Sequence, residues 1–279
     1  MKLPNLSNSM AVGRLRYIQS VHESGERRNP DTLVRQFMPM VERWRCLWLG
    51  RKELARLRAG PFYYYLVART KYYDGIFVDA ISEGAQQIIN IGCGSDTRAY
   101  RFDNPLRQKS VRVLECDQRA TIHAKERLAR RWRLFDQVEY MPLDLNDDSW
   151  PDFERWLTEN IKGKTLVVME GVSPYVNDIA FGRFLLLLAN NLPAGSRIAF
   201  DFKLRGVDDS FGRDGRTQVP FRLSAAREEV VAFHEDLGYR LEHMELSSEL
   251  TERLLPSLTK SASSLFREDG LVRLQVHGA

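Results

Sequence analysis

A chain of 279 residues, 43% hydrophobic and 28% charged, holds enough apolar material for one large core, and fits a single α/β unit with appendages better than two independent domains. Its 41 Lys and Arg are interleaved with 37 Asp and Glu, so the small positive excess argues against the basic stripe of a nucleic-acid binder. Three cysteines, Cys46, Cys93 and Cys116, are an odd number without a CxxC pair, which argues against a disulfide framework or a structural zinc site and for a reducing, cytoplasmic setting.

The opening "MKLPNLSNSMAVGRLRYIQS" has no apolar leader core, and no later stretch reaches the roughly 20 uncharged apolar residues of a membrane span, so no membrane partner is expected. Residues 1–84 place aromatic and basic side chains at helical spacings, as in "LVRQFMPMVERWRCLWLGRKELARLRAG", and predict a helical cap over the ligand edge of a sheet. From residue 85 short β-branched runs alternate with amphipathic stretches, the pattern of a Rossmann-like α/β fold. Strands are expected at 87–91, 111–116, 138–143, 165–170, 197–202, 239–246 and 271–277, and helices at 120–132, 151–160, 178–191 and 225–237. The dense basic run "KERLARRWR" falls in one of these helices and reads as a solvated face. Seven strands result, mostly parallel, with the last turning back antiparallel at the edge. The whole, 1–279, is one domain: a cap over 1–84 and a core over 85–279, with a lid insertion at about 203–223 in the Gly- and Asp-rich "KLRGVDDSFGRDGRTQVPFRL".

The chemistry centres on "IINIGCGSDTRAYRF" at 88–102. Gly92 and Gly94 end the first strand, where a sharp turn needs positive φ and a ligand needs close approach to the backbone. Thr97 stands where a dinucleotide fold wants its third glycine, and "DNP" at 103–105 cuts the following helix short, so no clean helix dipole faces a diphosphate. A nucleoside without a pyrophosphate fits better, and S-adenosylmethionine is the common one. Acids follow at the ends of successive strands: Glu115 and Asp117, then Asp144 in "PLDLND", then Glu170 before "GVSPY". Each alone reads as a helix cap or solvated loop residue. Their repetition along one rim does not.

The blocks "NPDTLVRQF", "YYLVARTKYYD", "IINIGCGSDTRAYRF", "ECDQRATIHAKERL", "PLDLNDD" and "VVMEGVSPYV", in this order over residues 29–176, resemble the leucine carboxyl methyltransferase family. That family is a branch of the class I S-adenosylmethionine-dependent methyltransferases, and includes bacterial O-methyltransferases of polyketide and other secondary metabolism. The resemblance implies that Arg35 and Arg69 meet the methionine carboxylate of the cofactor, Gly92 its methionine portion, Asp117 the ribose, Asp144 and Leu145 the adenine, and Glu170 the amino group, with Gly94 also in the cofactor-binding turn. Tyr175 would stand near the substrate. Asn146 departs from the family, which has an arginine there beside the methyl-accepting carboxylate. Arg98, Arg101 or Arg205 would then supply the missing charge, or the acceptor is an alcohol with His22, His123, His234 or Tyr175 as base.

The expected activity is S-adenosylmethionine-dependent O-methylation of a carboxyl or hydroxyl group on a small-molecule or carrier-bound substrate. Alternatives are a protein carboxyl terminus as acceptor, or a degenerate cofactor-binding partner protein. A nicotinamide dehydrogenase fits poorly, given Thr97 and the lack of the Tyr-x-x-x-Lys pattern of the short-chain class. No histidine has metal-ligand spacing, and neither a G-x-S-x-G elbow nor a P-loop occurs.

Overall fold

The computed structural model describes residues 8–132, 138–147, 149–207, 219–261 and 265–277. Four helices come first: α1 (Asn8–His22), α2 (Met40–Leu47), α3 (Arg51–Ala59) and α4 (Pro61–Ser82). Then follow β1 (Gln87–Ile91), α5 (Arg98–Arg101), α6 (Asp103–Gln108), β2 (Arg112–Asp117), α7 (Arg119–Arg131) and β3 (Val138–Pro142). Next are α8 (Pro151–Asn160), β4 (Thr165–Met169), α9 (Asp178–Asn191) and β5 (Arg197–Leu204). The chain closes with β6 (Arg222–Leu223), α10 (Arg227–Glu235), β7 (Tyr239–Leu246), α11 (Ser247–Leu254) and β8 (Asp269–Val276).

Strand order is β3-β2-β1-β4-β5-β8-β7, with β6 paired on β5. The first five strands are parallel, and β8 runs antiparallel to both of its neighbours. Order therefore reverses between β1 and β4, where an open α/β sheet forms its ligand crevice. Every residue of β1 and β4 is buried, because a parallel sheet is covered on both faces. Alternation divides their side chains: Ile89, Ile91, Val167 and Met169 join Phe181, Phe184 and Phe153 on one face. Ile88, Leu166 and Val168 join Tyr73, Ile76 and Phe77 on the other.

Four differences from the sequence reading have physical causes. The last strand is antiparallel but lies between β5 and β7, and the two-residue β6 brings the sheet to eight strands. The helical first segment does more than cap the rim, because Tyr73, Ile76 and Phe77 of α4 form part of a sheet-face core. "DNP" interrupts a helix only briefly: α6 restarts at Asp103, since Pro105 falls in its first turn, where a missing N–H costs nothing. The basic run is not wholly solvated, for Lys125 is buried and bonded to Glu115 at 2.8 Å. As for the lid, residues 208–218 lie outside the described residues, and its flanks form the β5–β6 pair at Lys203↔Arg222 and Leu204↔Leu223. No helix among the described residues is long and apolar enough to cross a membrane.

His234, fully buried in α10, bonds through Nδ1 to the Val230 carbonyl at 2.6 Å and lies against Phe200 and Phe233. Burial pushes its pKa down to about 4. The unfolded chain takes up this proton near pH 6.5 and the folded one only near 4, so stability is lost as pH falls through that window, by about 3 kcal/mol in all. His234→Phe should remove this part of the acid sensitivity, read as a shallower fall in melting temperature between pH 6.5 and 4.

Candidate active site

The glycine turn after β1 is built for contact between the protein's own segments as much as for a ligand. Gly92 has φ +63°, and a Cβ there would sit 2.4 Å from Val172 Cγ2. Gly94 has φ +43°, and its Cβ would sit 2.9 Å from Ser9 Cβ on α1. In return, a Cβ on Gly13 of α1 would come 2.9 Å from Ser95 Oγ. Helix α1 thus lies directly on the turn, and the absent side chains let it do so. The Gly94 N–H donates to Asp117 Oδ2 at 2.7 Å, which ties the turn to the end of β2.

A cavity of about 430 Å³ opens here at the carboxyl ends of β1–β5, within the size range of small-molecule sites. Asp117 and Asp144 line it, the latter accepting from Gln118 Nε2 at 2.8 Å and from the Asn146 N–H at 3.0 Å. Leu143 and Leu145 supply apolar wall beside them. Further along are Asp96, Glu170, Asp201 and Asp269, with the cations Arg16, Arg69 and Lys203 among them.

Glu170 takes all of its side-chain partners from guanidiniums. Its Oε1 accepts from Arg16 Nη2 at 3.0 Å and Arg69 Nε at 3.1 Å, and its Oε2 from Arg98 Nη1 at 2.7 Å. Burial alone would raise its pKa, but the three guanidiniums of Arg16, Arg98 and Arg69 hold it down at about 2. One acceptor position of roughly four remains open to a ligand N–H. Asp201 accepts from Arg69 Nη1 at 3.1 Å, the Tyr73 hydroxyl at 3.2 Å and the Gly171 N–H at 2.6 Å. Burial, only partly offset by Arg69 and reinforced by Asp269, carries it up to about 6.

The structure brings Arg69, Gly92, Gly94, Asp117, Asp144, Leu145, Asn146, Glu170 and Tyr175 around this one cavity. Arg35 is not among them. It sits in the turn Leu33–Phe37, whose Val34 and Phe37 point inward, so Arg35 is left exposed. Arg16 of α1 does line the cavity, and its buried Nε has no acceptor among the described residues.

Asn146 touches the cavity, yet its amide is committed to the loop after β4. Nδ2 donates to the Tyr175 carbonyl at 3.1 Å, and Oδ1 accepts from the Asn177 N–H at 2.9 Å. Nor do the proposed replacement arginines face an acceptor. Arg98 is spent on Asp74, Asp96, Glu170 and the Thr70 carbonyl, and Arg101 forms a bidentate pair with Asp74. Arg205 is exposed, 3.8 Å from Glu229. No histidine is among the residues lining the cavity. Glu115 lies below the rim, bonded to Lys125 and, at 2.8 Å, to the Tyr100 hydroxyl.

Sequence reasoning missed Arg16, Asp201, Lys203 and Asp269. A signal for Asp201 was present, as an acid inside the apolar run "RIAFDF". Lys203 and Asp269 became visible only when β5 ran two residues further and β8 began two earlier than expected, pairing them across the ladder. Their side chains meet at 2.8 Å.

Strand order, crevice and rim acids define a Rossmann-like enzyme with a site of nucleoside size. Residues 10–188 match the family model for leucine carboxyl methyltransferase, and the chain belongs to that family. It is a methyltransferase that depends on S-adenosylmethionine. One relative, from Streptomyces avermitilis and named as a candidate S-adenosyl-L-methionine-dependent methyltransferase, is 28% identical over 211 residues, covering 75% of this chain and 72% of its own length. Another so named, from Mycolicibacterium smegmatis, is 31% identical over 178 residues, covering 62% of this chain and 56% of its own. Among solved structures, magnesium protoporphyrin IX methyltransferase from Synechocystis with bound SAH aligns at a TM-score of 0.48 and 13% identity, over 88% of this chain and 98% of that one.

The glycine contacts give a direct test. Gly92→Ala should destabilise the fold by about 3 kcal/mol or more through overpacking and positive-φ strain together. Adding Val172→Ala should restore all but about 1–2 kcal/mol, the strain remaining at positive φ. Denaturant unfolding of the two variants measures both.

Proposed function

We propose that this chain methylates an oxygen of a small-molecule or carrier-bound acceptor, a carboxylate foremost, in the manner of the secondary-metabolism enzymes its sequence resembles. The observation that carries the reading is the charge of the cavity wall. Six carboxylates (Asp96, Asp117, Asp144, Glu170, Asp201, Asp269) face three cations (Arg16, Arg69, Lys203). Such an excess suits a ligand that brings a sulfonium and an ammonium, and the unpaired Arg16 Nε suits the single carboxylate of that ligand. S-adenosylmethionine supplies, when bound, an electrophilic methyl group on sulfur.

The chain's own residues do the rest. Asp117 and Asp144 offer acceptors for the ribose hydroxyls and the adenine amine, with Leu143 and Leu145 against the ring. Arg16 and Arg69 hold the methionine carboxylate, and Glu170 its amino group. Tyr175, Pro174 and Phe62 exclude water from the acceptor side and orient the oxygen for in-line attack. A carboxylate acceptor is favoured because it is ionised at neutral pH and needs no base, and of the four candidate bases Tyr175 alone lines the cavity.

Radiolabelled S-adenosylmethionine and a panel of carboxylic acids and phenols provide the assay. Base-labile label that volatilises as methanol is the expected product. Base-stable label on phenols alone would overturn the carboxylate reading. In calorimetry, Asp117→Ala should weaken cofactor binding by about 1–3 kcal/mol, because the ribose hydroxyls lose their acceptor, and a parallel melting curve controls for the loss of its Gly94 contact.

A further inference from the structure

Helix α2 turns a stripe of large apolar side chains to solvent. Met40, Val41, Trp44, Leu47 and Trp48 recur at i, i+1, i+4, i+7 and i+8, with Met40 68% and Trp48 79% exposed. The helix is firmly docked by its other side. Cys46 packs with Tyr17, Ile18 and Tyr63, and Glu42 pairs with Arg14 at 3.1 Å. Single exposed apolar residues are ordinary, but five in one stripe mark an interaction face.

The surroundings of the stripe are basic. Between residues 40 and 58 there are six Lys and Arg against two Glu, and one of those acids, Glu42, is buried and already paired. Arg51, Lys52 and Arg56 of α3 are exposed and form no ion pair among the described residues. A third tryptophan extends the face. Trp132, at the end of α7, is exposed and lies under the guanidiniums of Arg43 at 5.4 Å and Arg131 at 5.8 Å.

We propose that this aromatic and basic face seats the protein on an anionic lipid surface, with the α2 stripe in the headgroup boundary and α3 along the charged plane. Interfacial tryptophans and apolar side chains beside unpaired Lys and Arg are the chemistry that anionic lipid recognises. A second copy of the chain is a poor occupant, because a two-fold interface sets the same positive patches against each other. The sequence expectation of no membrane partner rested on the lack of a spanning segment. A peripheral face needs none, and its exposure is legible only once burial is known.

The test is co-sedimentation of the full chain with vesicles of phosphatidylcholine alone and with about one-third phosphatidylglycerol, with tryptophan emission read in parallel. Binding to the anionic vesicles alone, with a blue shift and release by added salt, is expected. Trp44→Ser with Trp48→Ser, and separately Arg51→Glu with Lys52→Glu and Arg56→Glu, should each weaken partitioning by about tenfold or more while the melting temperature holds. Absence of binding, equal binding to both vesicle types, or variants that bind unchanged would overturn the proposal. So would a concentration-dependent dimer dissolved by the tryptophan variant in a chain that ignores vesicles.

Discussion

The carboxylate of Glu170 joins three segments that arrive from different parts of the chain. Arg16 arrives from α1, Arg69 from α4 and Arg98 from the turn after β1, and all three end on the two oxygens at the close of β4. Burying four charges is costly, and attraction in the interior offsets that cost only when every donor finds a partner. Here Asp31, Asp74, Asp96 and Asp201 partner the guanidiniums further, and the Arg16 Nε alone of the donors named is left without an acceptor among the described residues. Helices α1 and α4 are therefore tied by charge to the strand end where the ligand crevice opens, and the wall of the cavity inherits their positions.

This explains why the fold was more legible than the site. Strands such as "QIINI" and "TLVVM" announce themselves by continuous apolar runs, and α8 and α9 fall on the limits their periodicity and caps predict. The acids Asp117, Asp144 and Glu170 were readable because parallel strands place their ends along one rim. Arg16 was not, because nothing in "GRLRYIQS" separates an arginine directed at the cavity from its neighbour Arg14, which pairs with Glu42. Arg35 drew attention through its family block, and only the inward turn of Val34 and Phe37 shows why it faces solvent. Asp269 escaped because an antiparallel strand brings its beginning, rather than its end, to the rim.

Asn146 shows how one position can exchange one role for another. An arginine there would extend charge toward an acceptor. The shorter amide instead fastens the Tyr175 and Asn177 backbone from both of its ends. The cavity takes polar wall from β5 and β8, through Asp201, Lys203 and Asp269, and part of its shape from the loop that Asn146 holds.

Helix α1 bears on the glycine turn through Gly13, Gly94 and Ser9, and it contributes Val12 and Arg16 to the cavity. A molecule seated against that turn shares a wall with the helix, so the free energy of keeping α1 in place and the free energy of occupancy are thermodynamically linked. Occupancy would shift the equilibrium toward the docked α1, and a substitution that loosens α1 would weaken occupancy by the same linked free energy.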